Sequence, residues 1–133
     1  MEWKEEFQHG LIWQDFQHHQ LIDNINALIN SVTSGDSDDK SFRKAALFTI
    51  QYCSGHFKIE EEYMKKHGYS LTESHIEQHN LFIDDFKKII SDNNLNGAQK
   101  SSVLLNKLLT WFKDHILTDD KLFANFILRH EIE

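Results

Sequence analysis

Two histidine-bearing segments flank one short polar turn in the stretch from His56 to His79, HFKIEEEYMKKHGYSLTESHIEQH. His56 and Glu60 lie four residues apart before the turn, and His75 and His79 lie four apart after it. Residues four apart share one face of an α-helix. The stretch therefore predicts two helices joined near Gly68, each carrying a pair of metal-ligand side chains on a single face.

Three polar clusters divide the chain into four long segments, and proline is absent. The clusters are TSGDSDD around Gly35, KHGYS around Gly68 and SDNNLNG ending at Gly97. Within the segments, apolar residues recur at intervals of three and four, which indicates one buried face on each helix. These stripes are Leu21, Ile22, Ile25, Leu28, Ile29 and Val32; Phe42, Ala45, Ala46, Thr49, Cys53, Phe57 and Met64; Phe82, Ile83, Phe86, Ile89 and Ile90; Leu104, Leu105, Leu108, Trp111 and Phe112.

Short connections between such helices favour antiparallel neighbours. We therefore predict an all-α fold, an up-down-up-down antiparallel four-helix bundle with a short N-terminal arm and a short C-terminal helix. Ser70 and Glu73 have the spacing of a capping box, which predicts the start of the third helix. With 133 residues the chain fits one domain, spanning residues 1–133.

Composition excludes several classes of protein. Fourteen basic residues against 21 acidic ones give a net charge of −7, and no basic cluster predicts binding to nucleic acid. No apolar run approaches the ~20 residues that cross a bilayer, and the N-terminus lacks a signal-peptide pattern. We therefore expect a cytoplasmic protein without a membrane partner. Cys53 is the only cysteine, so histidines and carboxylates must hold any metal.

Five histidines and one glutamate extend the apolar stripes of all four helices: His18, His56, Glu60, His75, His79 and His115. Their heights along the bundle also agree, at ~1.5 Å of rise per residue. His56 lies 12 residues before Gly68 and His79 lies 11 after it. A lone histidine on an apolar face is usually a hydrogen-bonded core residue, but so many buried polar groups would compete for partners. Their convergence favours a metal site.

The remaining conspicuous residues receive simpler interpretations. His9, His19, His67 and His130 do not share the stripes and are predicted to lie on the surface. Glu61 and Glu62 are assigned to a solvated helix face, and Cys53 to inert packing in the core. For Asp15 two interpretations stay open, since it could orient a metal ligand or serve as an acid at a helix N-terminus.

The donor set indicates two metal ions. Five histidines exceed the needs of a tetrahedral zinc site, and a single two-histidine facial triad would leave three imidazoles over. The ferritin-like di-iron pattern requires paired E-x-x-H motifs, which the sequence lacks.

The motifs resemble those of the hemerythrin family, in particular single-domain bacteriohemerythrins. The matching pieces span residues 3–121: Trp3 with Gly10, DFQHHQL, HFKIEEEYM, HIEQH and WFKDHILTDDK. The sequence departs from the family pattern at His19, where lysine is common, at Trp13, which is usually polar, and in lacking a proline after Gly68 and Tyr69.

The resemblance implies a ligand set for two iron ions joined by an oxo or hydroxo bridge. One iron would take His75, His79 and His115, the other would take His18 and His56, and Glu60 and Asp120 would bridge. Asp119 is the competing carboxylate. Since five residues turn about 140° beyond a full turn on a regular helix, we expect the helix to bend or end near Thr118. Trp111, Ile116 and Leu117 are the candidates for lining an O2 pocket.

A pair of irons with one ligand fewer on one side implies reversible binding of O2, as hydroperoxide, at the open iron. The expected function is oxygen storage, delivery or scavenging, without enzymatic turnover, since no further acid or base is dedicated to catalysis. Two alternatives stay open: a di-iron reductase of peroxide or nitric oxide, and a redox or O2 sensor domain within a larger protein. The sequence identifies no protein partner.

Overall fold

The regular secondary structure is helical throughout residues 1–34 and 39–129, the part of the chain that the computed structural model describes. A 3₁₀ turn, Glu5–Phe7, precedes α1, Ile12–Ser34. The later helices are α2, Asp39–Tyr52; α3, Lys58–His67; α4, Thr72–Ser91; α5, Gly97–Trp111; and α6, Lys121–Arg129. The all-α prediction is confirmed, and the arrangement is consistent with a four-helix bundle. The predicted turn around Gly35 and the predicted exposure of His130 fall outside the described residues.

Two π-helical segments join these six helices into four long ones. Cys53–Phe57 connects α2 to α3, and Phe112–Asp120 connects α5 to α6, both without a break in the helix. A π-helix bonds each residue to the fifth one along, so it turns more slowly than an α-helix. Each segment contains predicted metal ligands, His56 in the first and His115 and Asp120 in the second.

The predicted apolar stripes form the core. The main cluster includes Leu21, Ile25, Phe42, Phe57, Phe82, Phe86, Leu104, Leu108 and Phe112. A second cluster contains Leu11, Met64, Tyr69, Phe123, Ala124 and Ile127. Helix α5 packs against α1, α2 and α4, while α3 packs against α4. Only the ends of the predicted stripes reach the surface, for instance Ile90, which is 38% exposed.

The turns are built differently from one another. Gly68 ends α3, where the sequence predicted the turn, with φ of 65°, a left-handed conformation that favours glycine. The capping box predicted at Ser70 and Glu73 is wrong, because α4 begins at Thr72 with no side-chain cap. A capping box instead starts α5, where Asn96 and Gln99 exchange side-chain and backbone hydrogen bonds. No helix in the described ranges combines the length and apolar character needed to cross a membrane.

Candidate metal centre

The structure brings together all seven side chains that the sequence singled out as ligands. Each is at most 2% exposed, and they come from all four long helices: His18, His56, Glu60, His75, His79, His115 and Asp120. The cluster contacts both apolar clusters, since the Phe57 ring stacks on His79 at 3.9 Å and the Phe123 ring lies 6.5 Å from His75. These polar groups therefore lie inside the core, shielded from solvent.

The two oxygens of Glu60 face different histidines. Oε1 lies 2.6 Å from His75 Nε2 and 3.3 Å from His79 Nε2, whereas Oε2 lies 3.0 Å from His56 Nε2. One carboxylate therefore presents one oxygen to each of two histidine groups.

Asp120 divides its oxygens between the same two groups. Oδ1 lies 3.0 Å from Nε2 of both His75 and His115. Oδ2 lies 3.1 Å from His18 Nε2 and 3.5 Å from His56 Nε2. Two half-sites follow: a three-histidine half-site of His75, His79 and His115, and a two-histidine half-site of His18 and His56. Ligand atoms in each half-site, with both carboxylates included, lie within 4.8 Å of one another.

The second π-helical segment explains how Asp120 reaches the cluster. Hydrogen bonds to the fifth residue along bring residues five apart to similar positions around the helix, and His115 and Asp120 are five apart. Of the two expected alternatives, a bend or an end near Thr118, the end is wrong, because the chain stays helical through this residue. Asp119 instead points its carboxylate at the outer nitrogen of His115, Nδ1, at 3.4 Å.

Three of the clustered histidines contact polar side chains on a neighbouring helix. Each of these polar residues stands directly before or after another member of the cluster. His56 Nδ1 pairs with Gln17, beside His18; His79 Nδ1 lies 2.8 Å from Glu61, beside Glu60; and His115 Nδ1 lies 2.7 Å from Gln78, beside His79. A residue next to a ligand is rotated by about 100°, so it points sideways toward the next helix. The assignment of Glu61 to a solvated face is wrong.

The contact with Glu61 determines which ring nitrogen of His79 faces inward with a lone pair. The Glu61 carboxylate can only accept, so His79 Nδ1 carries the proton and Nε2 offers its lone pair to the interior. This Nε2 faces a carboxylate oxygen of Glu60 at 3.3 Å, and in the described chain the Nε2 atoms of His56, His79 and His115 lie close to carboxylate oxygens without the geometry of a hydrogen bond. The lone pair on His79 Nε2 and those on the Glu60 oxygen repel each other, and a cation between the two atoms would accept both. The donor set of imidazoles and carboxylates suits iron.

The charges in the cluster shift the pKa values of its members in the direction opposite to the shift that burial alone would cause. Desolvation favours neutral imidazoles, but Glu60 and Asp120 outweigh it and raise the pKa of His56 to about 9 and that of His75 to about 10. Desolvation and mutual repulsion favour neutral carboxyls, yet the surrounding imidazoles lower the pKa of both Glu60 and Asp120 well below the usual range. Both carboxylates are therefore ionised at neutral pH and require positive charge beside them.

Aromatic rings fix the planes of the imidazoles. Trp111 stacks on His115 at 3.8 Å and Tyr52 stacks on His56 at 4.9 Å. Among the candidates for an O2 pocket, Trp111 and Ile116 are buried, and Leu117 is partly buried against the main core cluster. Cys53 is buried and free, and burial raises the pKa of its thiol to about 12, in keeping with inert packing.

Sequence reasoning missed Gln14 and misplaced His9. Gln14 is fully buried and donates to Glu60 Oε2 and to the Asp120 carbonyl, both at 3.2 Å. Its position four residues before His18 was the available signal, because the two share one face of α1. The predicted surface position of His9 is wrong: its side chain is buried, and burial and the neighbouring His18 lower its pKa. His19 is exposed, as predicted.

Asp15 fits the interpretation as an acid at the N-terminus of a helix. It lies in the first turn of α1, and its carboxylate accepts hydrogen bonds from the backbone N–H groups of His9 and Gly10 at 2.8 and 3.0 Å. It also forms a smaller cluster with His9 and His18, whose candidate ligand atoms lie within 4.8 Å of one another. Asp15 thus organises the chain that leads into α1.

Comparison with known proteins agrees with this geometry. The family model described as the hemerythrin HHE cation binding domain matches residues 9–127. A bacteriohemerythrin of Stenotrophomonas maltophilia is 28% identical over 96% of this chain and 82% of its own length. Bacteriohemerythrins of Clostridium acetobutylicum and Methylococcus capsulatus are 28% and 27% identical, each over 90% of this chain and over 95% and 89% of their own lengths. The chain belongs to the hemerythrin family.

Proposed function

We propose that the chain holds two iron ions and binds O2 reversibly at one of them, for oxygen storage, delivery or scavenging. The observation that carries this proposal is the division of both carboxylates between unequal half-sites. With the carboxylates shared equally, the two-histidine half-site has one protein donor fewer and leaves a position for a small ligand. Two ferrous ions side by side can supply two electrons to O2 and take them back.

Each residue type has a distinct task in this proposal. His75, His79 and His115 hold one ion, and His18 and His56 hold the other. Glu60 and Asp120 fix the distance between the ions, because each carboxylate contacts both half-sites. Gln17, Glu61 and Gln78 keep Nδ1 protonated, so that Nε2 is available as a ligand. Trp111, Ile116 and Leu117 exclude water beside the centre.

The proposal includes the alternating direction of the four long helices. Antiparallel neighbours place residues that are equally far from a turn at the same level. Glu60 lies 8 residues before Gly68 and His75 lies 7 after it, and their side chains meet at 2.6 Å. This contact supports an up-down course through α3 and α4.

Anaerobic loading with ferrous iron tests the metal content and the function together. We expect about two irons per chain, as two half-sites require, and charge-transfer absorption of a diferric centre after oxidation. Exposure to O2 followed by argon should produce and then reverse a spectral change over repeated cycles. Zinc, or a single iron at saturation, would contradict the proposal. Sustained consumption of reductant with peroxide or nitric oxide would instead support the reductase hypothesis.

Replacing Leu117 with serine tests whether dryness protects the oxygenated protein. The side chain follows His115 by two residues and packs against the main core cluster. A hydroxyl at this position should admit water while leaving every ligand in place. We expect spontaneous oxidation at least ~10-fold faster, which corresponds to ~1.4 kcal/mol in the barrier, with iron content unchanged. The rate is followed optically after mixing reduced protein with O2.

The matched control is Leu105→Ser, at a partly buried leucine that packs against the same cluster. Leu105 lies ten residues before His115, about 15 Å along the helix at ~1.5 Å per residue. Equal oxidation rates in Leu117→Ser and the parent would show that Leu117 does not guard the centre.

A further inference from the structure

Gln14 connects three helical segments at the metal centre. Its amide nitrogen donates to Glu60 Oε2 in α3 and to the backbone carbonyl of Asp120 in the second π-helical segment, each at 3.2 Å. Gln14 itself lies in α1 and is fully buried. A single side chain in contact with both shared carboxylate residues can influence where both carboxylates lie.

The polarity of these contacts is fixed by chemistry. A carboxylate and a backbone carbonyl only accept hydrogen bonds, so the amide nitrogen of Gln14 must face them. The amide oxygen consequently faces His9, whose Nδ1 lies 3.2 Å away. Since the amide oxygen can only accept, His9 Nδ1 carries a proton, and His9 Nε2 carries a lone pair.

The chain before α1 is shaped to bring His9 inside. The Asp15 carboxylate holds the backbone N–H groups of His9 and Gly10. Gly10 has φ of +100°, and a Cβ there would meet the Leu128 side chain at 2.9 Å. The positive φ favours glycine at this position, and this course of the backbone leaves His9 only 7% exposed beside Gln14.

The contacts of Gln14 and His9 lie beside the two-histidine half-site. The oxygen of Glu60 that accepts from Gln14 is Oε2, the one that faces His56 at 3.0 Å. A ring nitrogen of His9 also lies within 4.8 Å of one of His18, and His9 Nε2 and His18 Nδ1 are both buried without a partner in the described chain. His18 Nδ1 is a donor when Nε2 binds metal, so it matches the lone pair on His9 Nε2.

We propose that Gln14, held in place by His9, is a positioning residue that sets the affinity of the two-histidine half-site for iron. The inference rests on the proposed function, because it assigns a role toward the iron pair. By donating to Glu60 Oε2 and to the Asp120 backbone carbonyl, Gln14 would hold both shared residues in position beside the two-histidine half-site. Without this donor, the carboxylates can shift toward the three-histidine half-site.

The test follows ferrous iron release to a chelator, without O2, in the full chain. His18→Ala identifies the kinetic phase that belongs to the two-histidine half-site. Gln14→Met keeps the length of the side chain and removes the donor. In Gln14→Met we expect iron release in that phase to be ~10- to 100-fold faster, in line with the usual loss of metal affinity when a partner of a metal ligand is removed. The release rate of the other phase should change less than ~3-fold.

Two further variants and a control separate positioning from folding. His9→Leu, which leaves Gln14 in place, should speed iron release in the same phase. His9→Asn keeps a donor near the position of Nδ1, so its release rate should stay close to that of the parent. Gln20→Met, at an exposed glutamine of the same helix, should change neither phase. Circular dichroism of each metal-free variant checks that the helices form. If Gln14→Met fails to fold, the two His9 variants decide.

The inference would be overturned if iron release became faster by the same factor in both phases. It would also be overturned if the release rates of Gln14→Met and His9→Leu were unchanged. A parent protein that does not take up two irons would overturn the proposed function, and the inference with it. The parent measurement thus distinguishes the two failures.

Discussion

Replacement of Asp120 by alanine is expected to remove both iron ions, although it deletes a single carboxylate. Oδ1 faces the three-histidine half-site at 3.0 Å, and Oδ2 faces the two-histidine half-site at 3.1 Å. The variant leaves five imidazoles and one carboxylate, which carry too little negative charge for two divalent ions in a buried site. Elemental analysis after anaerobic loading should fall from about two irons per chain to near zero. Glu60→Ala should behave in the same way.

Two comparators make this result specific. Asp119→Ala changes the neighbouring carboxylate, which is 30% exposed and faces the outer nitrogen of His115, so most of the iron should remain. His18→Ala removes a ligand from one half-site and should leave roughly one iron per chain. If Asp120→Ala retained one full equivalent of iron, this residue would serve one ion only, and the bridging assignment would be wrong.

The metal-free protein is expected to lose stability steeply between pH 6.5 and 10, whereas the iron-loaded protein is not. Glu60 and Asp120 overcome desolvation and raise the pKa of His56 to about 9 and of His75 to about 10, compared with ~6.5 in the unfolded chain. Since these pKa values are raised on folding, their stabilisation is complete below pH ~6.5 and is lost as the pH rises through 9 to 10.

Thermal denaturation measures this difference. We expect the midpoint of the metal-free protein to fall by on the order of 10 °C between pH 6.5 and 10, as a few kcal/mol would produce in a domain of this size. Iron replaces the imidazole protons, so the loaded protein should change much less over this interval. His67→Gln, at a histidine outside the cluster, is the control and should follow the parent. An equal fall in loaded and metal-free protein would place the alkaline sensitivity in other groups.

The sequence was sufficient for the helices and for the five clustered histidines because both depend on local spacing. Apolar residues three and four apart must share a helix face, and the stripe from Phe42 to Met64 is buried as predicted. The same periodicity placed His18, His56, His75, His79 and His115 on the buried faces. Asp120 followed from the resemblance alone, since its five-residue step from His115 does not fit a regular helix.

Only the tertiary structure showed how that step is accommodated. Hydrophobic spacing of three and four does not distinguish an α-helix from a short π-helical segment, so the sequence left a bend or an end near Thr118 as the alternatives, whereas the helix continues there as a π-helical segment. The start of α4 was also misjudged, because capping-box spacing at Ser70 is compatible with a helix that begins elsewhere.

Contacts between helices were likewise beyond local reasoning. His9 lies outside the apolar stripes, but Gly10 and Asp15 fold the preceding chain so that its side chain is buried against Gln14. Glu61 contacts His79 across two helices, which depends on how those helices are rotated about their axes. The sequence by itself thus determined that five histidines and Glu60 share the buried helix faces, because helical periodicity selects a face. The tertiary structure decided which oxygen faces which histidine and what holds each ring, because those contacts depend on the relative positions of separate helices.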